Sequence, residues 1–198
     1  LRRIGSIRAL GHRVASVSFR REKMRAGVGP DWPNLDLGPS SNNRYLLRLL
    51  RLGRAALRLW RGRDILGMSD VWIARNLDMV LLAVLMRRVS GQRQVRLVYE
   101  CLDIHGLFTR ADAVGAAMRW VERRMLARCD LLILSSPGFL DAYFRPVQGI
   151  KTPVAMLENK LWVGENPLPR PAHPRKADAD APFVLGWVGS LRCARSLE

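Results

Sequence analysis

The sequence has 198 residues, 48% of them hydrophobic, which is enough for one domain with a sizeable core and part of another. It carries 33 basic and 17 acidic residues, and the net charge of +16 favours an anionic partner such as a membrane surface, a nucleic acid or a phosphorylated substrate. The longest apolar run, Met79–Met86, is too short for a transmembrane helix, which needs roughly 20 residues. The three cysteines form no C-x-x-C pair, so nothing in the pattern indicates a zinc or disulfide framework, and a reducing cytoplasm fits.

The first forty residues predict a helix, a strand and a loop. Apolar residues at helical spacing over Ile4–Leu10 indicate a helix that Gly11 and His12 end, and Arg13–Phe19 alternates as a strand does. Residues Glu22–Asn43 are rich in Gly, Pro, Asn and Asp, which predicts a long, mobile loop. A complete α/β unit has a strand before its first helix. Since neither that strand nor an initiating Met is present, we expect a fragment that lacks its first strand.

The stretch Arg44–Arg61 predicts an amphipathic helix. Its arginines recur every three or four residues and therefore share one face: Arg44, Arg48, Arg51, Arg54, Arg58 and Arg61. Apolar residues cover the opposite face, which we expect to be buried: Tyr45, Leu46, Leu49, Leu52, Ala56 and Trp60. The outward arginines then predict contact with an anionic membrane through Arg48, Arg51, Arg54 and Arg58. The alternative is a solvated basic face.

Strands alternate with helices from residue 70 onward. Strands are predicted at 70–76, 96–100, 131–134 and 154–157, and helices at 78–89, at 113–129 and after Ser136, with Pro137 at the first helical position. This alternation predicts an α/β fold, a Rossmann-like parallel sheet with helices on both faces. We expect three segments: a domain over 1–162, a Pro/Ala-rich linker over 163–182, and a strand-turn-helix stub of a second Rossmann-like domain over 183–198.

Polar and charged side chains follow the predicted strands of this sheet. They are Arg75 and Asn76 at the end of the first, Glu100 at the end of the second with Asp103 and His105 after it, and Ser135 and Ser136 after the third. Open α/β sheets bind ligands outside the carboxyl ends of their strands, which predicts a site there. The alternatives are a polar loop whose Asp caps the next helix, serines that act only as helix caps, and a Glu100 that pairs with a neighbouring Arg.

Several segments resemble the family 4 glycosyltransferases, which have the GT-B fold of two Rossmann-like domains facing each other across a cleft. RRIGSIRALGHRV looks like the family's first helix and second strand, and VYECLDIHG lies where the family has an acidic, His-containing loop. RWVERRMLARCDLLILSSPGF is similar to its "E-R-x-x-x-x-x-x-D…S" helix and strand, and MLENK to its "P-N-G" segment. GWVGSLRCARSLE looks like the start of the donor domain. The family commonly places a His directly after the strand, whereas here Cys101 and Leu102 intervene before His105.

The resemblance implies transfer of a sugar from a nucleotide-sugar donor, and is closest in character to enzymes of polysaccharide assembly. Asp103 and His105 would then orient or deprotonate the acceptor. The acceptor side of the cleft would include Glu100, Arg75, Asn76, Ser135, Ser136, Glu158 and Asn159. The donor phosphates would lie at Gly189, Ser190 and Arg192, where small residues let backbone N–H groups approach. Since most of the donor site would lie beyond Glu198, we expect this fragment to be inactive alone.

No cofactor or metal site is predicted. Asp178 and Asp180 imitate a D-x-D metal motif, but they lie in the linker without a preceding strand, and no other cluster has metal-ligand spacing. We therefore expect a glycosyltransferase peripheral to the cytoplasmic membrane face, acting on a lipid-linked or polysaccharide acceptor. The alternatives are a basic nucleic-acid-binding protein, which the charge favours although no nucleic-acid motif is present, and a non-catalytic Rossmann-like partner domain.

Overall fold

The computed structural model describes residues 2–21, 30–40, 45–67 and 69–158. They belong to one compact unit, Leu1–Leu161. The helices are α1 (Arg2–Ala9), α2 (Tyr45–Arg61), α3 (Asn76–Val89), α4 (Ala113–Leu126) and the short α5 (Pro137–Phe139), which continues as a π-helical turn over Leu140–Phe144. The strands are β1 (Ser16–Arg21), β2 (Asn34–Ser40), β3 (Val71–Arg75), β4 (Arg96–Cys101), β5 (Leu131–Leu134) and β6 (Val154–Met156).

Every strand pair in the described residues is parallel, which confirms the predicted α/β class. β3, β4, β5 and β6 lie side by side in chain order. Five consecutive residues of β4, from Leu97 to Cys101, are buried, so both faces of this central strand are covered. That pattern is typical of a parallel sheet with helices on both sides. The core includes Leu97, Leu132, Leu134, Phe144 and Met86.

The described strands form two sheets, whereas a single sheet was predicted. β1 pairs only with β2, and β3 pairs only with β4, so the two groups share no hydrogen-bonded strand pair. One edge of β3 is consequently unpaired among the described residues, and its Val71 and Ile73 are exposed. The prediction of one sheet was wrong for these residues because alternating elements predict parallel pairing but not which strands are neighbours.

The prediction of a loop over Glu22–Asn43 was wrong where β2 lies. Leu35 and Leu37 alternate with Asp36, and Leu37 joins the hydrophobic core while Leu35 packs against it. Burial of these two leucines and pairing with β1 override the turn propensity of Gly38 and Pro39. Residues 22–29 and 41–44 lie outside the described part of the chain.

Several element boundaries also differ from the predicted ones. α1 begins two residues before the predicted Ile4, and β1 covers Ser16–Arg21 instead of Arg13–Phe19. α3 starts directly at Asn76, while α4 ends at Leu126, short of the predicted Cys129. These shifts occur at element ends, where local sequence signals are weakest.

Helix α2 uses only part of its apolar surface for the core. Ala55 and Leu59 are buried, whereas Trp60, predicted to be buried, is 39% exposed. Arg54 is exposed, and the Arg58 guanidinium lies against Gly38 of β2. The residues that pack against this helix thus cover only part of its apolar surface.

Some predicted features lie outside the described residues. They are the linker and stub at 163–198, Asn159, the donor-phosphate residues Gly189, Ser190 and Arg192, and the side chains of Arg48 and Arg51. No helix in the described part of the chain combines the length and the apolar content that crossing a bilayer requires.

Candidate functional site

The carboxyl ends of four neighbouring parallel strands form one edge of the sheet. The structure places the predicted site residues along this edge: Arg75 and Asn76 at the end of β3, Glu100 in β4 with Asp103 and His105 after it, Ser135 and Ser136 after β5, and Glu158 after β6. Ligands of open α/β sheets bind at such an edge.

Glu100 is 1% exposed and holds two arginines from other elements. Its Oε1 accepts hydrogen bonds from Arg3 Nε at 2.9 Å and Arg3 Nη2 at 2.5 Å, and its Oε2 accepts one from Arg75 Nε at 2.5 Å. Burial alone would raise the pKa of this carboxyl, but the two guanidinium partners more than offset it and hold the pKa below the ordinary value of 4.5. Glu100 therefore joins α1 to the ends of β3 and β4 and is too enclosed to meet an acceptor.

Asn76 joins β3 directly to α3 in a left-handed backbone conformation, with φ of +67°. Among the described residues it is the one non-glycine residue with positive φ. Asn tolerates this region better than most side chains do. The tight junction keeps Arg75 beside Glu100 and starts α3 at the edge of the sheet.

The loop after β4 presents Asp103 and His105 to solvent. The Cys101 thiol donates to the backbone oxygen of Asp103 at 3.5 Å, and Ser135 Oγ donates to the backbone oxygen of Leu102 at 3.2 Å. Ser135 thus ties the end of β5 to this loop. The Asp103 side chain is exposed, and no described residue donates a hydrogen bond to its carboxylate. That carboxylate is available to an incoming ligand.

His105 has its ring orientation set by the backbone. Its Nδ1 accepts a hydrogen bond from the Leu107 backbone N–H at 3.2 Å. A nitrogen that accepts carries no proton, so the neutral ring is protonated at Nε2. In that tautomer the exposed Nε2–H can donate a hydrogen bond to a ligand.

Cys101 and Ser136 have other roles. Burial raises the pKa of the Cys101 thiol to about 12, so this cysteine is not a nucleophile at neutral pH. Ser136 caps α5, since its Oγ accepts from the Gly138 N–H at 3.2 Å. Ser135 is the serine that contacts the site loop.

A buried polar cluster centred on Glu122 links α4 to β4 and to the segment after α5, and the sequence analysis did not predict it. Glu122 of α4 is 1% exposed and accepts hydrogen bonds from Tyr99, Tyr143 and Gln148 at 3.1, 2.5 and 2.6 Å. Burial raises the pKa of Glu122, although these three donors partly offset the effect. A Glu inside an otherwise apolar helical stripe is the sequence signal that could have revealed it.

The neighbouring residues of the E-R…D…S motif are structural as well. Arg123 donates to the backbone oxygens of Val147 and Gln148, which fastens α4 to the turn after α5. Asp130 accepts from the Leu97 N–H at 2.8 Å and pairs with Arg96. In this motif, Ser135 is the residue that reaches the site loop.

We expect the Glu122→Gln variant to remove a pH dependence of stability. Because the folded-state pKa of Glu122 lies above the ordinary value of 4.5, the native state binds the proton more tightly than the unfolded state does. The free energy of unfolding should therefore fall as pH rises from about 4.5 through the raised pKa, and Gln, which does not titrate, should abolish that fall. Urea unfolding between pH 4.5 and 8 measures it.

The matched control for this variant is Glu158→Gln, because Glu158 is exposed. It should retain the wild-type pH profile. Parallel profiles for wild type and Glu122→Gln would contradict the assignment of the proton to Glu122.

No cluster of His, Cys, Asp or Glu in the described residues has the arrangement of a metal site. The edge instead offers an exposed carboxylate, an imidazole N–H, a serine hydroxyl and a partly exposed arginine. Such groups can orient a hydroxyl-bearing ligand and accept a proton from it.

The chain is similar in sequence to a protein of polysaccharide biosynthesis. It is 40% identical over 199 residues to the succinoglycan biosynthesis protein ExoL of Rhizobium meliloti (strain 1021). The match covers 99% of this chain and 49% of the relative, so the chain spans about half the length of that protein. No protein-family model matches the chain, and no solved structure matches it.

Proposed function

We propose that the full-length protein is a glycosyltransferase of polysaccharide biosynthesis. The enzyme is of the hexosyltransferase type. It transfers a sugar from a nucleotide-diphosphate sugar to a lipid-linked or polysaccharide acceptor. The similarity to a succinoglycan biosynthesis protein supports a role in polysaccharide biosynthesis. The α/β fold with parallel strands supports a Rossmann-like enzyme. The observation that carries the proposal is the exposed Asp103 and His105 at the carboxyl edge of the sheet.

In this proposal the two residues have different roles. Asp103, whose carboxylate is exposed, accepts the proton of the acceptor hydroxyl as the glycosidic bond forms. The bond between the anomeric carbon of the sugar and the diphosphate breaks, and the nucleoside diphosphate leaves with the electron pair. His105 donates from Nε2–H and holds the acceptor in place, since its Nδ1 is already engaged by Leu107. Arg75, which is 43% exposed while paired with Glu100, adds positive charge at the same edge of the sheet.

The donor belongs to the second domain. Gly189, Ser190 and Arg192 would contact the diphosphate, as the resemblance to family 4 glycosyltransferases with the GT-B fold implies. The proposal includes no metal cofactor, so EDTA should leave the rate unchanged. The acceptor would be held at the cytoplasmic face of the membrane, to which the protein binds peripherally.

The function is tested with the full-length protein, a panel of nucleotide sugars and a lipid extract as the acceptor. We expect one donor to be consumed and the lipid-linked product to gain the mass of one sugar. The Asp103→Asn, His105→Ala double variant is the control and should give no product. Consumption of no donor in the panel would favour a non-catalytic partner domain. Equal turnover by the double variant would show that residues other than Asp103 and His105 carry the catalysis.

A further inference from the structure

An apolar groove opens on the surface between α2 and α3. It has a volume of about 390 Å³ and is lined by six apolar residues: Ala56, Leu57, Trp60, Leu85, Met86 and Val89. α2 contributes three of these side chains and α3 the other three. The groove lies on the outer surface of the two helices, separate from the loop that carries Asp103.

The groove leaves large apolar side chains in contact with solvent. Leu57 is 49% exposed, Trp60 39%, Leu85 43% and Val89 46%. The same helices bury Ala55, Leu59 and Met86 in the core. The inward face of each helix therefore already packs against the core. A contiguous apolar surface of this kind marks an interaction site more often than a free surface.

Arginines surround the groove. Arg54 and Arg61 lie one turn before and after Leu57 on α2, and Arg88 lies one turn after Leu85 on α3. The Arg63 guanidinium stacks over the Trp60 ring, 4.7 Å from its centroid. All four arginines are exposed, and Asp64 is the one acidic residue in the described stretch 45–67. The groove is therefore apolar, and the arginines beside it make the surrounding surface cationic.

We propose that this groove and its four arginines are a docking surface for an anionic lipid leaflet. Leu57, Trp60 and Leu85 enter the interface between headgroups and acyl chains, where an amphipathic indole is favourable. Arg54, Arg61 and Arg88 contact the phosphates of the headgroups. A bilayer fits both features at once, because it supplies an apolar layer directly beneath an anionic one.

The surface differs from the predicted arginine stripe. Arg58 belonged to that stripe, but its guanidinium lies over Gly38 of β2. Trp60, expected in the core, is instead part of the groove. This docking surface rests on the peripheral membrane binding in the proposed function. Vesicle binding does not require sugar transfer, so loss of docking and loss of transferase activity are measured separately.

The test is sedimentation of the full-length protein with vesicles of phosphatidylcholine alone or with 30% phosphatidylglycerol, at low and high salt. We expect binding to the anionic vesicles that weakens with salt. Arg54→Gln, Arg61→Gln and Arg88→Gln together should weaken it about a hundredfold at low salt, since each arginine contributes roughly fivefold. Trp60→Ser with Leu85→Ser should weaken it about tenfold or more, with less dependence on salt.

The matched control is Val114→Ser with Trp120→Ser on α4. Both side chains are exposed, and Arg124 stacks over Trp120 as Arg63 does over Trp60. This variant should bind vesicles as wild type does. Equal loss in the control and the groove variant would overturn the proposal. So would a dimer that the groove variant dissociates, or binding to RNA with no binding to vesicles.

Discussion

Asp103→Asn in the full-length protein is expected to lower turnover by about a hundredfold or more. Asn keeps the size of the side chain but cannot accept the proton that the acceptor hydroxyl loses in the transition state. Since the Asp103 carboxylate has no partner among the described residues, the change should leave the fold intact. The measurement is kcat with saturating donor and acceptor, together with the free energy of unfolding.

His105→Ala is expected to have an effect of similar size through a different step. Loss of the Nε2–H donor should raise the KM for the acceptor as well as lower kcat, because the acceptor is no longer oriented. His105→Gln, which can still donate a hydrogen bond, should recover part of the activity.

The matched controls are Asp64→Asn and His12→Ala. Both residues are exposed: Asp64 lies in the short helical turn Arg63–Ile65, and His12 lies between α1 and β1. Each control should keep wild-type turnover. Near wild-type rates for Asp103→Asn and His105→Ala would remove this loop from the mechanism.

Glu100→Gln is expected to lower the free energy of unfolding by about 2 kcal/mol at pH 7. Gln preserves the shape but loses the charge that pairs with Arg3 and Arg75. The loss should be smaller than for a fully buried pair, because the Arg3 and Arg75 side chains are 23% and 43% exposed and reach water. Urea unfolding of wild type and variant measures the difference.

The loss of stability caused by Glu100→Gln is expected to depend on pH. The folded-state pKa of Glu100 is below its ordinary value of 4.5, so the stabilisation is complete above about pH 4.5. It is lost as pH falls through the folded-state pKa, because the native carboxyl is then protonated. The difference between wild type and Glu100→Gln should therefore shrink on acidification below pH 4.5.

Asp141→Asn provides the comparison for Glu100. Asp141 pairs with Arg145 at 2.6 Å, but both side chains are more than 60% exposed. Such surface pairs contribute little, so we expect a change within about 0.5 kcal/mol. A Glu100→Gln variant as stable as Asp141→Asn would show that the buried carboxylate does not hold α1 to the sheet.

The alternating elements from residue 70 onward could be predicted because their signals are local. The apolar run of α3 and the β-branched and aromatic residues of β3 and β4 each fall within a few residues. Parallel pairing follows from this alternation, and so does the placement of Arg75, Asp103 and Ser135 at one edge. These predictions required no knowledge of distant contacts.

The missed features depend on residues far apart in the sequence. β2 contains Gly38 and Pro39 and becomes a strand because β1 pairs with it and the core receives Leu37. Pairing of Glu100 with an Arg was one of the alternatives, but its partner Arg3 lies 97 positions away. Glu122 meets Tyr99, Tyr143 and Gln148 from three other segments. No local pattern indicates such partners.

The sequence by itself determined the α/β class, the order of the elements after residue 70 and the edge at which polar side chains gather. Only the tertiary structure decided which of those side chains remain available. Glu100 and Glu122 are carboxylates like Asp103, but burial among arginines or tyrosines engages both of them, while Asp103 stays exposed. The same holds for apolar residues: Leu59 enters the core and Trp60 remains outside it, because burial depends on the neighbouring helix and not on the residue's own hydrophobicity.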